Sequence, residues 1–198
     1  NLNITDVFHG IYISRADYTT IVHVHITGQK TKSLAKQGNG IHIIRSSHNV
    51  IENSFIEKTR DGIYVEHANS NQINHNKVTE ARYGLHYMYS DYNEFHDNEF
   101  IGNIGGAAIM QSDSLLLEGN NFSFNQGSRA FGLIIQTSRD VHVKHNKFYQ
   151  NQRGLYLEQS TNNTIEGNEF FHNQIGIELW TSSTAHTFFD NIFSQNNS

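Results

Sequence analysis

The sequence predicts an all-β fold: a right-handed single-stranded parallel β-helix of about eight coils, most of 22 residues, with three short strands per coil. Three observations predict it. Steps from glycine to an aliphatic residue recur mostly every 22 residues along the 198-residue chain. Apolar and polar residues alternate after each glycine, which is the period of a strand. Asn, Asp, Ser and Gly separate these stretches, and this composition disfavours helix.

The repeat is anchored by glycines that precede the first predicted strand of each coil. They are Gly10, Gly40, Gly62, Gly84, Gly106, Gly132, Gly154 and Gly176. The residues one and three positions later, such as Ile63 and Val65, are apolar and are predicted to face inward. Apolar residues 11 and 16 positions after the glycine mark the second and third strands. One coil cannot bury these side chains alone, so stacked coils are expected to share one continuous core.

The whole chain, 1–198, is predicted to form a single β-helix domain with two insertion loops, near 29–37 and 126–131. These segments fall where the glycine spacing lengthens to 30 and to 26 residues. Insertions in solenoids are loops on one face, and Lys30, Lys32 and Lys36 make the first loop a possible partner surface. Because Asn1 lies in a strand-like segment, we expect the chain to be a fragment of a longer protein.

Asparagines 14 positions after the glycine predict a ladder of stacked side-chain amides at a bend with left-handed backbone. This row contains Asn76, Asn98, Asn120, Asn146 and Asn168, with Asp190 in the last copy. The Phe residues two positions later are predicted to stack in the core. In the copy that begins at Gly40, Asn53 and Phe55 come one residue early, which predicts a compensated β-bulge there.

Composition excludes several classes of function. The chain has no Cys, so thiolate metal sites and catalytic thiols are excluded. A formal net charge of -5 with interspersed acids and bases argues against nucleic-acid binding. No run of about 18 apolar residues is present, so no transmembrane segment is predicted.

The side chains two and four positions after each glycine are predicted to point outward. Residues at one such position in successive coils should lie about 4.8 Å apart. Met88 and Met110 are therefore predicted neighbours, with His86 beside Met88. Glu66 lies one coil earlier and His42 further along. Thioethers with imidazole form a soft ligand set that favours Cu(I), so these five residues are the predicted metal site. The alternative is an apolar patch that contacts a partner.

Aromatic residues on the predicted outer surface, Tyr64, Tyr89 and Trp180 among them, fit either carbohydrate stacking or a protein interface. A glycosidase needs paired carboxylates, and Glu158 with Glu178 is the only weak pair on the outward columns. No basic residue occupies those columns. The chain is therefore predicted not to be an enzyme. A carbohydrate-active or carbohydrate-binding β-helix is the alternative.

The sequence resembles proteins of two groups. The 22-residue pattern resembles the parallel β-helix repeats of the carbohydrate-binding and sugar-hydrolase superfamily. The segment from Arg82 to Asp91, followed by Asn98-Glu99-Phe100 and by the segment from Gly106 to Met110, resembles the NosD-like proteins.

The NosD resemblance implies a periplasmic copper-binding protein that is not an enzyme in its own right. Such proteins act beside an ABC transporter with separate ATPase and membrane subunits. They support assembly of the copper-sulfur site of nitrous oxide reductase. The cargo implied is copper, with Cu(I) favoured by the soft ligand set. The resemblance carries over no metal-site residue, so the predicted site depends on spacing alone.

Overall fold

The computed structural model describes residues 1–29 and 33–198. It confirms an all-β solenoid in which short strands, numbered β1 to β25 in chain order, pair in parallel with the strand of the next coil. One sheet has nine strands and the other two have eight, so the solenoid has about nine turns. The turn beyond the predicted number arises because β1 precedes the first glycine. Among the described residues, no helix is long and apolar enough to cross a membrane.

Sheet 1 contains the strands at the glycine steps. They are β2 Ile11–Ser14, β5 Ile41–Ile44, β8 Asp61–Glu66, β11 Tyr83–Met88, β14 Gly105–Met110, β17 Phe131–Gln136, β20 Arg153–Glu158 and β23 Ile175–Trp180. Sheet 2 follows in each coil after a polar bend. It contains β3 Thr20–Val22, β6 Val50–Glu52, β9 Gln72–Asn74, β12 Glu94–His96, β15 Leu116–Glu118, β18 His142–Lys144, β21 Thr164–Glu166 and β24 Thr187–Phe189.

Sheet 3 closes each coil. It contains β1 Leu2–Val7, β4 Val24–Gly28, β7 Phe55–Glu57, β10 Lys77–Thr79, β13 Glu99–Ile101, β16 Asn121–Ser123, β19 Lys147–Tyr149, β22 Glu169–Phe171 and β25 Ile192–Ser194. A short 3₁₀ helix, Leu34–Lys36, follows β4. Lys36 is exposed there, whereas Lys30 and Lys32 lie outside the described residues.

The core is one column of inward side chains, as predicted. Phe122 and Phe148 stack with ring centroids 5.1 Å apart, and Phe148 and Phe170 with centroids 4.7 Å apart. Glycine is required where coils approach most closely. A Cβ on Gly84 would lie 2.6 Å from the carbonyl oxygen of Gly106 and 2.7 Å from the Phe100 ring. The glycine step therefore lets neighbouring coils stack at strand spacing.

The asparagine row is a buried ladder. The backbone N–H of Asn98 donates to Oδ1 of Asn120 at 3.0 Å, and its side-chain amide donates to the Ile73 carbonyl at 2.7 Å. The predicted left-handed conformation belongs to the preceding residue instead, as at Asp97 with a φ of 52°. This arrangement leaves the Asn side chain free to point inward and satisfy buried backbone groups.

Two further predictions about the ladder were also wrong. No bulge displaces the Gly40 copy: Ile56, not Phe55, pairs with Ile26 and is buried. In this copy Ser54 occupies the ladder position instead of an Asn, so the register is unchanged. Its backbone N–H donates to Oδ1 of Asn76 at 3.0 Å, as a ladder Asn would.

In the last copy the ladder residue is Asn191 rather than Asp190. Oδ1 of Asn191 accepts from the backbone N–H of Asn168 at 2.9 Å, and Asp190 takes the left-handed position with a φ of 54°. One additional residue in this coil shifts the register. An amide at the ladder position both donates and accepts, whereas a carboxylate only accepts.

Candidate functional site

The outer face of sheet 1 carries two continuous columns of side chains, as predicted. The first column contains Tyr12, His42, Tyr64, His86, Ala108, Ile134, Tyr156 and Glu178. The second contains Ser14, Ile44, Glu66, Met88, Met110, Gln136, Glu158 and Trp180. Because the strands are in register, each side chain lies beside its counterparts in the coils before and after it.

Alternating Tyr and His rings fill the first half of the first column. The rings contact edge to face, with centroids 4.7 Å apart for Tyr12 and His42, and 4.7 Å apart for His42 and Tyr64. Tyr64 and His86 follow at 4.9 Å. These distances match the spacing between strands, so the stacked coils themselves bring the rings into contact.

His86 is held by a carboxylate from the coil before it. Asp61 begins β8 and is only 2% exposed. Its Oδ2 lies 3.0 Å from Nδ1 of His86, and both of its oxygens accept from Arg82, at 2.8 Å from Nε and 2.6 Å from Nη2. The guanidinium of Arg82 also lies 4.5 Å from the Tyr83 ring centroid. This cluster is the most buried set of charged groups on the face.

Asp61 is ionised despite its burial. Burial raises the pKa of its carboxyl, but the hydrogen bonds from His86 and Arg82 outweigh this effect and lower the pKa below its ordinary value. The ion pair also raises the pKa of the Arg82 guanidinium, although burial opposes this shift. A carboxylate that accepts two charge-assisted hydrogen bonds from Arg is a rigid anchor. His86 is therefore fixed at a defined position on the strand.

The two methionines are register partners in β11 and β14, as predicted. Tyr64 approaches Met88 from the preceding coil, with its hydroxyl 3.9 Å from Sδ, and donates to Oε2 of Glu66 at 3.1 Å. Burial, with the nearby Glu66 carboxylate as a further cause, raises the pKa of Tyr64 to about 12. Its hydroxyl is therefore protonated at neutral pH. Glu66 flanks Met88 but is engaged by this hydrogen bond.

His42 and His86 are not neighbours on the outer face. Tyr64 lies between them in the column, and Nδ1 of His42 is 3.3 Å from the side-chain amide nitrogen of Asn39. Burial lowers the pKa of His42, and the nearby His9 lowers it further. A cavity of about 330 Å³ borders His9, His42, Asp61 and His86. Within residues 1–29 and 33–198, no group of three or more His, Asp or Glu side chains could hold a metal ion.

The outer face changes character beyond the methionines. Ala108, Phe131 and Ile134 form a second apolar cluster outside the core, and Met110 packs against it. Ile134 is only 7% exposed although it points outward. Ala108 and Ile134 stand two positions after Gly106 and Gly132, so they were predicted to point outward, but their burial by neighbouring rings was not predicted.

A groove of about 630 Å³ continues from this apolar cluster to the exposed Trp180. The two carboxylates beside it already have partners: Arg153 forms an ion pair with Glu178, and Gln136 donates to Glu158 at 2.9 Å. Tyr89 lies outside this groove, in the turn after β11, where its ring stacks on His67 at 5.0 Å. The predicted aromatic surface is therefore divided between separate regions.

Sequence reasoning missed Asp61 and Arg82. It considered only the outward positions two and four after each glycine. In the structure, β8 and β11 begin one residue before the glycine, so the residues at that end also reach the outer face. The signal was present in the sequence, because Asp61 stands one position before Gly62 and Arg82 stands two positions before Gly84.

Solved structures similar to this chain are parallel β-helices of carbohydrate-active proteins. A periplasmic alginate epimerase, AlgG, matches with a TM-score of 0.79 and 18% identity, covering 97% of this chain and 49% of that chain. The mannuronan C-5 epimerase AlgE4 A-module of Azotobacter vinelandii matches with a TM-score of 0.62 and 12% identity, covering 98% of this chain and 70% of that chain. This chain spans about half the length of the AlgG chain. Identities this low show the fold alone.

Sequence comparison is more specific. A comparison with curated proteins finds no match. The family model described as "Periplasmic copper-binding protein (NosD)" matches residues 22–198, which is most of the chain. The matched range contains β4 to β25 and all the residues of the predicted metal site. The chain therefore belongs to the NosD family of periplasmic copper-binding proteins.

Proposed function

We propose that this chain is a non-enzymatic periplasmic maturation factor that holds Cu(I) at His86, Met88 and Met110. In this role it supports assembly of the copper-sulfur site of nitrous oxide reductase, together with the subunits of an ABC transporter. The observation that carries the proposal is the pairing of Met88 with Met110, with His86 on the same strand as Met88, in a member of a copper-binding family.

The chemistry of the donor set supports a soft monovalent cargo. Two thioethers and one imidazole are neutral ligands, and thioethers favour Cu(I) over hard cations. Both methionines are half-buried and are register partners on adjacent paired strands, which supports a shared site. Glu66 and His42 were also predicted as ligands. In the proposal they flank the site, since Glu66 accepts from Tyr64 and His42 lies beyond Tyr64.

An anaerobic Cu(I) titration against a competing chelator tests the site. Replacing both methionines, Met88→Leu with Met110→Leu, keeps the apolar volume and removes both thioethers. We expect Cu(I) affinity to fall by at least the roughly 10- to 100-fold typical of lost metal-site support. Ile44→Leu, in the same column, is the matched control and should leave the affinity unchanged. An unchanged affinity in the double variant would exclude these methionines as ligands.

The proposal also includes docking of the client protein on the outer face of sheet 1. The apolar cluster around Phe131 and Ile134 supports this, because it continues from the methionines to an open groove. Binding of purified nitrous oxide reductase, measured with and without Cu(I), would separate the two roles. Binding that persists in the double methionine variant would support docking independent of the metal.

A carbohydrate-active β-helix is the second candidate. Trp180 and Tyr156 line the groove with Glu158 and Glu178, and sugar rings stack on such aromatic surfaces. His86, backed by Asp61 and beside Arg82, is also a candidate base for proton abstraction. A glycan-array screen with assays on acidic polysaccharides tests this candidate. The absence of both binding and turnover would eliminate it.

A further inference from the structure

We infer that Asp61 and Arg82 are positioning residues of the proposed copper site, and that they hold His86 with Nε2 as its metal-binding nitrogen. The inference depends on the proposed function and adds residues that the metal prediction did not include. Asp61 is buried one coil before His86, and Arg82 immediately precedes the strand that carries it. Neither residue is placed to bind the metal itself, since their polar atoms are used by each other and by His86.

The hydrogen-bond pattern determines where the imidazole proton lies. Oδ2 of Asp61 already accepts from Nη2 of Arg82 at 2.6 Å, so its contact of 3.0 Å with Nδ1 of His86 places the imidazole proton on that nitrogen. Nη2 of Arg82, 3.3 Å from the same Nδ1, is also a donor, and both groups donate to Asp61 rather than to each other. Neutral His86 then has its lone pair on Nε2.

The ring is also held from both sides. The Tyr64 ring contacts His86 at 4.9 Å and the Tyr83 ring at 5.2 Å, both edge to face. The side chain is 12% exposed, so the imidazole has little freedom to turn. Metal-binding histidines commonly donate their other ring N–H to a carboxylate, which fixes the tautomer and strengthens the donor nitrogen. Asp61 and His86 have this arrangement.

Arg82 cancels the charge that Asp61 would otherwise bring to the site. The two side chains form a bidentate pair, and the Tyr83 ring lies against the guanidinium. The Arg82–Asp61 pair therefore adds no net charge beside the three proposed donors, which are themselves uncharged.

His42 provides an internal contrast in the same column. Its Nδ1 faces the amide nitrogen of Asn39, a donor, so the proton of neutral His42 is expected on Nε2. Burial lowers the pKa of His42, which favours the neutral form. Two histidines in one column are thus expected to be opposite tautomers. The difference follows from the partner, because a carboxylate accepts where an amide N–H donates.

Nitrogen-15 NMR of the histidine rings tests the tautomers without any metal. In the neutral imidazole forms, we expect His86 with the proton on Nδ1 and His42 with the proton on Nε2. The unsubstituted chain can overturn the inference by itself: a His86 with its proton on Nε2 would do so. Asp61→Asn is expected to reduce the Nδ1–H form of His86 while leaving the tautomer of neutral His42 unchanged.

Cu(I) affinity provides the second readout. We expect Asp61→Asn to weaken Cu(I) binding by about 10- to 100-fold. Asp113→Asn is the matched control, because Asp113 pairs with Nε of Arg139 at 2.8 Å on an exposed turn without a histidine. Circular dichroism verifies that the coils are folded. If Asp61→Asn does not fold, Arg82→Lys, which retains the charge but loses the bidentate pair, is expected to give a smaller loss.

The outcomes separate the two proposals. Unchanged Cu(I) affinity in Asp61→Asn, with affinity lost in the double methionine variant, overturns the positioning role and leaves the copper site standing. No Cu(I) binding by the unsubstituted chain overturns the proposed function. The tautomer measurement still decides in that case whether Asp61 fixes the His86 ring.

Discussion

The two halves of the outer face of sheet 1 have the same backbone and opposite chemistry. From His42 to His86 the face is polar, with rings stacked around a buried Asp61–Arg82 pair. From Ala108 to Ile134 the face is apolar, and its side chains are buried by packing against Phe131. The methionines lie at the boundary, Met88 against Tyr64 and Met110 against the apolar cluster. Because the coils are equivalent in the core, only the outward positions are free to differ in this way.

The largest expected loss of stability comes from a substitution in the apolar half. Phe131 is 7% exposed and its ring contacts Tyr83 at 5.6 Å. Phe131→Ala should lower the free energy of unfolding by about 3 kcal/mol, because it removes buried apolar surface and leaves a cavity. Chemical denaturation measures this effect. Phe124→Ala, at a ring that is 46% exposed, is the matched control with a smaller loss. Equal losses would contradict a packed outer cluster.

The free energy of unfolding should depend on pH through the charged groups of the polar half. The folded-state pKa of Asp61 is depressed, so its ionised form contributes stability above the unfolded-state pKa near 3.8. That contribution is lost as the pH falls through the folded-state value. Asp61→Asn should lower the free energy of unfolding by about 2 kcal/mol at neutral pH, since Arg82 loses its charged hydrogen-bond partner. The difference between variant and unsubstituted chain should shrink below about pH 4, as measured by denaturation across pH.

A smaller effect is expected at the boundary between the halves. Tyr64→Phe removes the hydroxyl that donates to Glu66 at 3.1 Å. The free energy of unfolding should fall by about 1 kcal/mol, the typical value of one hydrogen bond. Cu(I) affinity should be unchanged, because the hydroxyl is not a proposed ligand. An increase in affinity would instead identify the released Glu66 carboxylate as a ligand.

The smallest effect is expected outside both halves. Tyr89 is 42% exposed in the turn after β11 and stacks on His67 at 5.0 Å. Tyr89→Ala should change the free energy of unfolding by about 0.5 kcal/mol or less. Neither Cu(I) affinity nor client binding should change. A loss of client binding would extend the docking surface from the strands into the turn.

Much of the fold and part of the candidate site were predictable from sequence. The period of the glycines and the alternation after them placed Met88 beside Met110 and His86 beside Tyr64, as the strand register confirms. The Asn ladder was also predictable, because each coil must satisfy the same buried backbone groups. The prediction of a bulge in the Gly40 copy was wrong because Phe55 was matched to the core Phe of other coils, although the constant register puts Ile56 at that position.

The Asp61–Arg82–His86 cluster could not be predicted by the same means. It depends on a carboxylate that reaches from one coil to the next and on a strand that begins one residue before the glycine. Spacing along a column gives neighbours, but it does not give which atoms of long side chains meet. The burial of Ile134 is a similar case, since it depends on rings from adjacent coils.

The sequence by itself determined the coil length, the inward core, the ladder and the order of side chains along the outer face. These follow from a repeated period, because every coil faces the same requirement for burial and backbone pairing. Only the tertiary structure decided which outward groups form contacts across coils and which nitrogen of His86 faces its carboxylate. Those contacts depend on side-chain reach and burial, which no period in the sequence encodes.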